Sequence, residues 1–300
     1  MIQQSTLRWS VVIPAYMPGE NLAVAVDSVL VAMGTRQDYE VVVVDDGSPD
    51  PITLREYGPR VRLDTCAENV GAVPNFNRAI GRAEGEFIHV LHADDYVEPG
   101  FYGALEAGLA IDGVVAAACG VHRVDGAGVL IETMKPELPR AGIWTRAFER
   151  LAVSNRLPAP SVVAKRSTYD QVGVFDESLI HAADWDLWIR FSQAGPIYYD
   201  PEPLAAYRVH DAQHTASLAQ SGKNIDDAIA VIRRLPARVG RRDGTPLMTR
   251  ALLYRSVYAA RMGGRALRTG QWRAAGVQAR SSARCVLLSM QAFGRGVARR

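Results

Sequence analysis

Two adjacent carboxylates, Asp94 and Asp95, directly follow a short apolar run and are the side chains of this sequence best suited to chemistry. The run, Phe87 to Leu91, has the length and composition of a buried strand in a parallel sheet. Ligands of open α/β sheets bind beyond the carboxyl ends of such strands. No basic residue adjoins the pair in sequence, so the two charges need a cation, a proton or a spatial partner. We expect an oxygen-liganded divalent metal ion that carries a phosphate-containing substrate.

The alternative for this pair is a helix N-terminus, where acids are stabilised by the helix dipole, since a helix is expected near Glu98. A second pair, Asp45 and Asp46, also follows an apolar run and precedes Gly47-Ser48. Asp, Gly and Ser are all common in turns, so a turn would also explain these acids. For Asp45 we favour a structural role in such a turn.

The first half of the chain alternates between apolar runs and amphipathic stretches. Residues 9–14 and 40–44 have the composition of buried strands, and Leu22, Val26 and Val29 between them have the spacing of one helical face. A strand, a helix and a strand in close succession are typical of a βαβ unit. We therefore predict an α/β fold with a mostly parallel sheet flanked by helices.

Charge divides the chain near residue 220. Residues 221–300 carry 17 Lys and Arg against three Asp, whereas residues 1–220 carry 17 basic and 29 acidic side chains. The sequence thus combines an acidic body with a strongly basic tail.

Three cysteines without close spacing argue against a disulfide framework or a zinc site. With no signal sequence and no apolar run of about 20 residues, we expect a cytoplasmic protein.

Six short motifs resemble, in order and spacing, those of family 2 inverting glycosyltransferases of the GT-A fold. They are Ile13-Pro14-Ala15-Tyr16, Val43-Val44-Asp45-Asp46-Gly47-Ser48, Asn69-Val70-Gly71, Gly85-Glu86-Phe87-Ile88, Ala93-Asp94-Asp95 and Asp184-Trp185-Asp186-Leu187. The resemblance covers residues 9–215. It implies a GT-A domain over residues 1–220, with a nucleotide-sugar half (1–120) and an acceptor half (121–220), followed by a basic helical tail (221–300).

The resemblance also implies a nucleoside-diphosphate-sugar donor and the residues that bind it. These are Pro14, Tyr16, Asp46, Asn77 and Asp94. Asp46 would accept hydrogen bonds from the base, and Asp94 would contact the ribose or the metal. The nucleotide stays open among UDP, GDP and dTDP. Many relatives carry an arginine where this chain has Phe76, and Arg78 is the residue that could compensate.

Family resemblance further implies that Mg²⁺ or Mn²⁺ bridges the diphosphate. Asp95 and Asp94 would hold this ion, and a late histidine, His210, would be a further ligand. The family often carries another aspartate where this chain has His92. We expect His92 itself to be structural or at the edge of the substrate.

An inverting transfer needs a base that takes the proton of the acceptor hydroxyl as it attacks. The resemblance assigns this role to Asp184, with Asp186 as the alternative, although the first turn of a helix would also explain an acid at Asp186. Trp144, Trp185 and Trp188 are candidates for a platform on which the acceptor sugar stacks. Trp185 is the best placed of them, and Trp188 is expected to belong to the core.

The implied reaction is the transfer of one sugar to a hydroxyl of a glycan or lipid-linked saccharide, as in polysaccharide biosynthesis. The sequence lacks the Gln-x-x-Arg-Trp motif of processive synthases. A sugar-nucleotide-binding relative without catalysis is an alternative, which the retention of Asp94, Asp95 and Asp184 disfavours. A receiver-like regulatory module would also place acids at strand ends, but it needs a lysine that no apolar run supplies here.

The basic tail is predicted to be helical, with Val286, Met290 and Phe293 on one stripe of its last helix. Such helices either pack on the body of the protein or rest, through residues 281–300, on an anionic membrane surface. The second case would make the protein peripheral at the inner face of a membrane. We do not expect nucleic acid as a partner, because no recognised binding motif accompanies the arginines.

Overall fold

The computed structural model describes residues 7–209 and 221–297, which form two compact units. The first, the sheet unit, comprises the described residues up to Thr145, Leu157–Glu177, and Arg190 to residue 209. The second, the helical unit, comprises Arg146–Arg156, Ser178–Ile189 and residues 221–297. The predicted division at residue 220 into a catalytic domain and a tail stays a prediction.

A mixed β-sheet forms the core of the sheet unit. Its strands are β1 (Trp9–Ala15), β2 (Tyr39–Asp45), β3 (Val61–Thr65), β4 (Phe87–Val90), β5 (Tyr96–Val97), β6 (Ala116–Val124), β7 (Leu130–Thr133), β8 (Gly142–Ile143), β9 (Val162–Lys165) and β10 (Ile197–Arg208). Among the described residues the strand order is β3-β2-β1-β4-β9-β6-β10-β5, with β7 beside β6 and β8 beside β10.

The first four strands of this order are parallel, as the sequence predicts. Strands β1 and β2 are buried along their whole length, which suits strands covered by helices on both faces. The connections run through helices α1 (Asn21–Met33) and α2 (Ala72–Arg82). Helix α1 buries the predicted face of Leu22, Val26 and Val29.

The second half of the sheet is less regular. Strand β9 is antiparallel to both of its neighbours, β4 and β6, whereas β10 runs parallel to β6. Helices α3 (Phe101–Leu109) and α5 (Arg166–Val172) belong to this half.

In the part of the chain that the structure describes, the helical unit contains four whole helices: α4 (Ala147–Leu151), α7 (Lys223–Val239), α8 (Arg241–Arg268) and α9 (Trp272–Val297). It also contains the part of α6 (Ala183–Ala194) that ends at Ile189. Helix α7 buries Ile225, Ile229 and Ile232 on one face. The last helix begins at Trp272, because Gly270 ends α8 in a left-handed turn and the chain becomes helical again at once. None of the described helices is long and apolar enough to cross a membrane.

Candidate active site

Asp94 and Asp95 lie in the loop after β4, at the carboxyl end of the parallel strands. The loop also carries His92, and one ligand atom from each of these three residues lies within 4.8 Å of the others. The structure therefore brings together the two acids predicted to bind a metal. It adds His92, which the sequence interpretation expected to be structural or at the edge of the substrate.

The carboxylate of Asp95 is buried and only half satisfied. Its Oδ1 accepts the backbone N–H of Arg208 at 2.8 Å. Its Oδ2 lies 3.5 Å from Nδ1 of His92 and accepts no hydrogen bond from the described residues. Burial raises the pKa of Asp95 to about 6, and the opposing effect of His92 is smaller. A buried charge with an unpartnered oxygen is costly unless a cation compensates it.

The donor atoms of this cluster fit a divalent metal ion. Carboxylate oxygens suit Mg²⁺ and Mn²⁺, and an imidazole nitrogen suits Mn²⁺ better than Mg²⁺. Asp94 and His92 are both partly exposed, which leaves an approach from solvent. The ring of Phe76 stacks on His92, with ring centroids 5.0 Å apart, and so restrains the orientation of the imidazole.

Arg208, at the end of β10, holds the acidic loop in place. Its side chain is buried, and Nε donates to the backbone carbonyl of Asp94 at 2.8 Å. The same guanidinium donates to the carbonyls of Gly126 at 3.0 Å and Asp125 at 3.3 Å. The sequence interpretation missed this residue, because an arginine in a short motif has no signal that distinguishes a buried side chain from an exposed one. The predicted metal ligand His210 lies outside the described residues and stays a prediction.

Asp45 forms the turn that the sequence predicts for it. Its Oδ1 accepts the backbone N–H of Ser48 at 3.0 Å and its hydroxyl at 2.7 Å. The Ser48 Oγ in turn accepts the backbone N–H of Met17 at 2.9 Å. Asp45 therefore ties together the loops that follow β1 and β2, and the turn interpretation is confirmed.

Asp46 is buried and serves as the anchor of another loop. Its carboxylate accepts the backbone N–H groups of Val70 at 3.1 Å and Gly71 at 2.9 Å, and Arg78 Nη1 lies 3.2 Å from Oδ1. Arg78, whose role the sequence left open, thus pairs with the predicted base-binding acid. Gly47 permits this approach, since a Cβ there would lie 2.9 Å from the backbone of Glu68. A contact between Asp46 and the nucleotide base stays a prediction.

Two predicted donor-binding residues, Pro14 and Tyr16, differ in accessibility. Pro14 is buried within β1, where it is opposite Val44 of β2 and lies beyond the last residue that β1 pairs with β4. Tyr16 follows the strand and is half exposed. The geometry leaves Tyr16 accessible to a ligand, and the donor contacts of both residues stay predictions.

Asn77, also predicted to bind the donor, is engaged within the sheet unit. Its Nδ2 donates to Phe175 O and to Glu177 Oε1, both at 2.9 Å, and its Oδ1 accepts the N–H of Phe175 at 2.9 Å. Both ends of the amide therefore fix the segment around Phe175. A direct contact with the donor stays a prediction.

The predicted base Asp184 lies in the first turn of α6, in the helical unit. Its Oδ2 accepts a hydrogen bond from Asn155 Nδ2 at 2.8 Å, and its Oδ1 accepts the N–H of Trp185 at 2.6 Å. The side chain is partly exposed. Its carboxylate is thus oriented by two donors without being closed off from solvent.

Asp186, the alternative base, has a different environment. It is buried and forms ion pairs with Arg234 at 3.0 Å and Arg238 at 2.5 Å, both on α7. Two guanidinium groups already occupy its carboxylate within the helical unit. These contacts favour Asp184 over Asp186 as the proton acceptor.

Helix α7 also fixes the segment that leads into α6. One carboxylate oxygen of Asp227 accepts the backbone N–H groups of Ile180 at 2.7 Å and His181 at 2.6 Å. The segment that carries Asp184 is therefore attached to α7 both before and after this residue. Sequence reasoning missed Asp227, because its partners are backbone groups distant in sequence.

The tryptophan platform is a prediction that the structure contradicts. Trp144, Trp185 and Trp188 are all buried. Trp185 donates its indole N–H to Leu151 O at 2.5 Å, and the guanidinium of Arg255 lies 5.0 Å from its ring centroid. A ring packed in this way has no free face for a sugar.

Comparison with known proteins establishes the family. Residues 10–170 match the model of glycosyl transferase family 2. An uncharacterized glycosyltransferase of Escherichia coli K12, YibD, is 32% identical over 246 residues, which cover 75% of this chain and 68% of that protein. This chain belongs to glycosyl transferase family 2.

Two further relatives show the extent of the likeness. The uncharacterized glycosyltransferase RT0329 of Rickettsia typhi is 29% identical over 220 residues, or 69% of this chain and 65% of that protein. A Rickettsia felis glycosyltransferase is 26% identical over 223 residues, which are 70% of this chain and only 35% of the relative. The chain therefore spans less than two thirds of these curated relatives.

Solved structures share the fold. Residues 1–349 of Staphylococcus aureus TarS superpose with a TM-score of 0.64 at 16% identity, covering 97% of this chain and 88% of that one. The same TarS fragment with UDP-GlcNAc gives a TM-score of 0.59 at 15% identity, with 95% and 92% covered. At these identities the likeness shows the fold alone. The predicted GT-A fold with C-terminal helices is confirmed.

Proposed function

We propose that this chain transfers a single sugar from a nucleoside-diphosphate-sugar donor to a hydroxyl acceptor, with inversion and with a divalent metal ion. The observation that carries the proposal is the cluster of His92, Asp94 and Asp95 at the end of β4. It combines metal-binding groups with a buried carboxylate oxygen that accepts no hydrogen bond from the described residues. Membership of glycosyl transferase family 2 supports the class of reaction.

Asp94, Asp95 and His92 would hold Mg²⁺ or Mn²⁺, with His210 as a further predicted ligand. When bound, the ion neutralises the charge that develops on the diphosphate leaving group. The chain keeps Oδ1 of Asp95 fixed by the backbone N–H of Arg208, which leaves Oδ2 available for a ligand. The cluster is thereby organised before any ligand arrives, and preorganised charge stabilises a transition state best.

UDP is the nucleotide that we propose first, because crystal structures of TarS contain UDP-GlcNAc and UDP. GDP and dTDP are the alternatives. The residues proposed to contact the donor are Pro14, Tyr16, Asp46, Asn77 and Asp94. Asp46 and Arg78 form an ion pair that positions the loop at Val70 and Gly71 for this purpose.

Asp184 is the residue that we propose as the base. It would take the proton of the acceptor hydroxyl while the diphosphate leaves from the opposite face of the sugar. Asn155 orients its carboxylate, and its partial exposure suits a group that must meet an acceptor. We propose a saccharide or lipid-linked saccharide as acceptor, at the cytoplasmic face of a membrane and in polysaccharide assembly.

Nucleotide release from UDP-sugars in the presence of Mn²⁺ tests this proposal, and NMR of the product reports its anomeric configuration. We expect Asp184→Asn to lower kcat about a hundredfold or more while donor affinity is kept. Asp170→Asn, which changes an exposed acid on α5, is the matched control. Tight donor binding without turnover of any sugar by the wild type would instead favour a sugar-nucleotide-binding relative without catalysis.

A further inference from the structure

The turn between α8 and α9 exposes a tryptophan on a strongly basic helical hairpin. Trp272 is 72% exposed, whereas the other four tryptophans of the chain are each at most 3% exposed. Leu267, in the last turn of α8, is 48% exposed. Residues 265–273 are called the hairpin tip below. A large aromatic and an aliphatic side chain exposed at one tip are suited to contact with a partner.

The exposure of Trp272 follows from a closed turn and not from a frayed helix end. Gly270 has a φ of +72° and donates its N–H to Leu267 O at 3.1 Å. Gln271 donates its N–H to Ala266 O at 2.8 Å. These two bonds are those of a Schellman motif, which satisfies the last carbonyls of α8. The turn therefore holds Trp272 at a fixed position outside the packed surface between the helices.

The hairpin tip also carries three arginines. Arg265, Arg268 and Arg273 are exposed, and within the part of the chain that the structure describes none of them forms an ion pair. Residues 244–297 contain nine arginines and no Asp, Glu, Lys or His. A solvated helix surface ordinarily mixes both signs, so this composition points to an anionic partner.

The other end of the hairpin, around Met290 and Phe293, is a weaker candidate for contact with an anionic partner. Met290 and Phe293 are exposed there, but the nearby Arg284 forms an ion pair with Asp226 of α7. Phe293 lies 21 residues after Trp272, about 31 Å along a helix. Among the side chains that the structure describes, arginines without an ion pair and an exposed tryptophan coincide at the tip.

We propose that the hairpin tip docks on an anionic phospholipid surface. Trp272 and Leu267 would enter the interfacial region, where an indole combines an apolar body with a polar N–H. Arg265, Arg268 and Arg273 would meet the headgroup phosphates, which guanidinium groups bind through paired N–H donors. The proposal does not depend on the proposed enzymatic reaction.

Intrinsic fluorescence of the full chain provides a direct test, because Trp272 is the one tryptophan exposed to solvent. We expect a blue shift on addition of phosphatidylcholine vesicles that contain phosphatidylglycerol, and none with phosphatidylcholine alone. Lipids brominated near the headgroup should quench the shifted emission. Trp272→Phe should abolish the spectral change.

Vesicle sedimentation supplies the matched variants. Replacing Arg265, Arg268 and Arg273 by Gln should weaken binding to anionic vesicles about a hundredfold, since each cation near such a surface contributes a factor of about five. The double variant Met290→Gln/Phe293→Gln should bind like the wild type. Equal pelleting of the arginine variant and the wild type would overturn the proposal. A blue shift that depends on protein concentration without lipid, or that appears with RNA but not with vesicles, would also overturn it.

Discussion

The carboxylate of Asp95 accepts the backbone N–H of Arg208 at 2.8 Å, although the two residues are 113 positions apart in sequence. The guanidinium of Arg208 also binds the carbonyls of Asp94, Gly126 and Asp125. One buried arginine thus attaches the end of β10 to the acidic loop after β4. The arrangement makes β10 part of the proposed metal site.

Arg208→Lys should weaken metal-dependent nucleotide binding while the protein stays folded. A lysine keeps the charge but cannot reach three carbonyls with a planar fork. Loss of such outer contacts typically lowers metal affinity about 10- to 100-fold. Titration with Mn²⁺ measures the change, and Arg123→Lys, at an exposed ion pair with Glu132, is the control. Equal Mn²⁺ affinity of the Arg208 variant and the wild type would contradict the role given to this residue.

Asp95→Asn should stabilise the metal-free protein at neutral pH although it removes metal binding. The folded-state pKa of Asp95 is raised from 3.8 to about 6 by burial, so ionisation of this group opposes folding. Its contribution to stability is fully present below about pH 4 and is lost as the pH rises through about 6. At pH 7.5 the loss is on the order of 2–3 kcal/mol. Urea unfolding in EDTA should show the variant to be the more stable at pH 7.5 and similar to the wild type near pH 4.

An unchanged difference between variant and wild type at the two pH values would show that the charge of Asp95 is compensated by the protein itself. The need for a cation at this position would then disappear.

Gly47→Ala should displace the loop that Asp46 holds. A Cβ at this position would lie 2.9 Å from backbone atoms of Glu68 and Asn69, and the φ of +69° adds strain. Gly34→Ala is a matched control, because its φ is +58° and no atom lies within 4 Å of the added Cβ. We expect the control to lose about 1 kcal/mol of stability, and Gly47→Ala to lose more and to bind the nucleotide more weakly. If the two variants lost stability and nucleotide affinity equally, the close approach of Gly47 to the backbone of Glu68 would have no effect on the site.

Asp227→Ala should lower kcat without changing donor affinity. It removes the acceptor of two backbone N–H groups, those of Ile180 and His181, just before the proposed base Asp184. A misplaced base costs about ten- to a hundredfold in rate. Asp226→Ala, on the same helix at an exposed ion pair, is the control and should keep its activity. A parallel loss of donor binding in Asp227→Ala would indicate general unfolding instead of misplacement.

The parallel half of the sheet and its helices could be predicted from sequence because each element has its own periodicity. Buried strands correspond to apolar runs in the sequence, and the buried residues of α1 recur at helical spacing. The direction of β9 and the twelve-residue length of β10 could not be predicted, since both depend on which strands become neighbours. Local pattern carries no information about that pairing.

The site residues that could be predicted are the acids that directly follow strands. Their contact partners could not be predicted, because these residues are distant in sequence. The structure brings Asp94 and Asp95 together and confirms the turn at Asp45. It also places His92 beside the two acids, and it buries Trp185, contrary to the predicted sugar platform. Burial of Trp185 depends on Leu151 and Arg255, which no spacing rule connects with it.

Calorimetric titration with UDP, with Mn²⁺ and with EDTA, on the wild type and on Asp95→Asn, tests the central claim most directly. We predict that the wild type binds UDP in the presence of Mn²⁺, and that binding is lost in EDTA and in the variant. GDP and dTDP in the same experiment determine the nucleotide. Absence of metal-dependent binding for all three nucleotides would mean that His92, Asp94 and Asp95 do not form a donor site, and it would contradict the proposed transfer reaction.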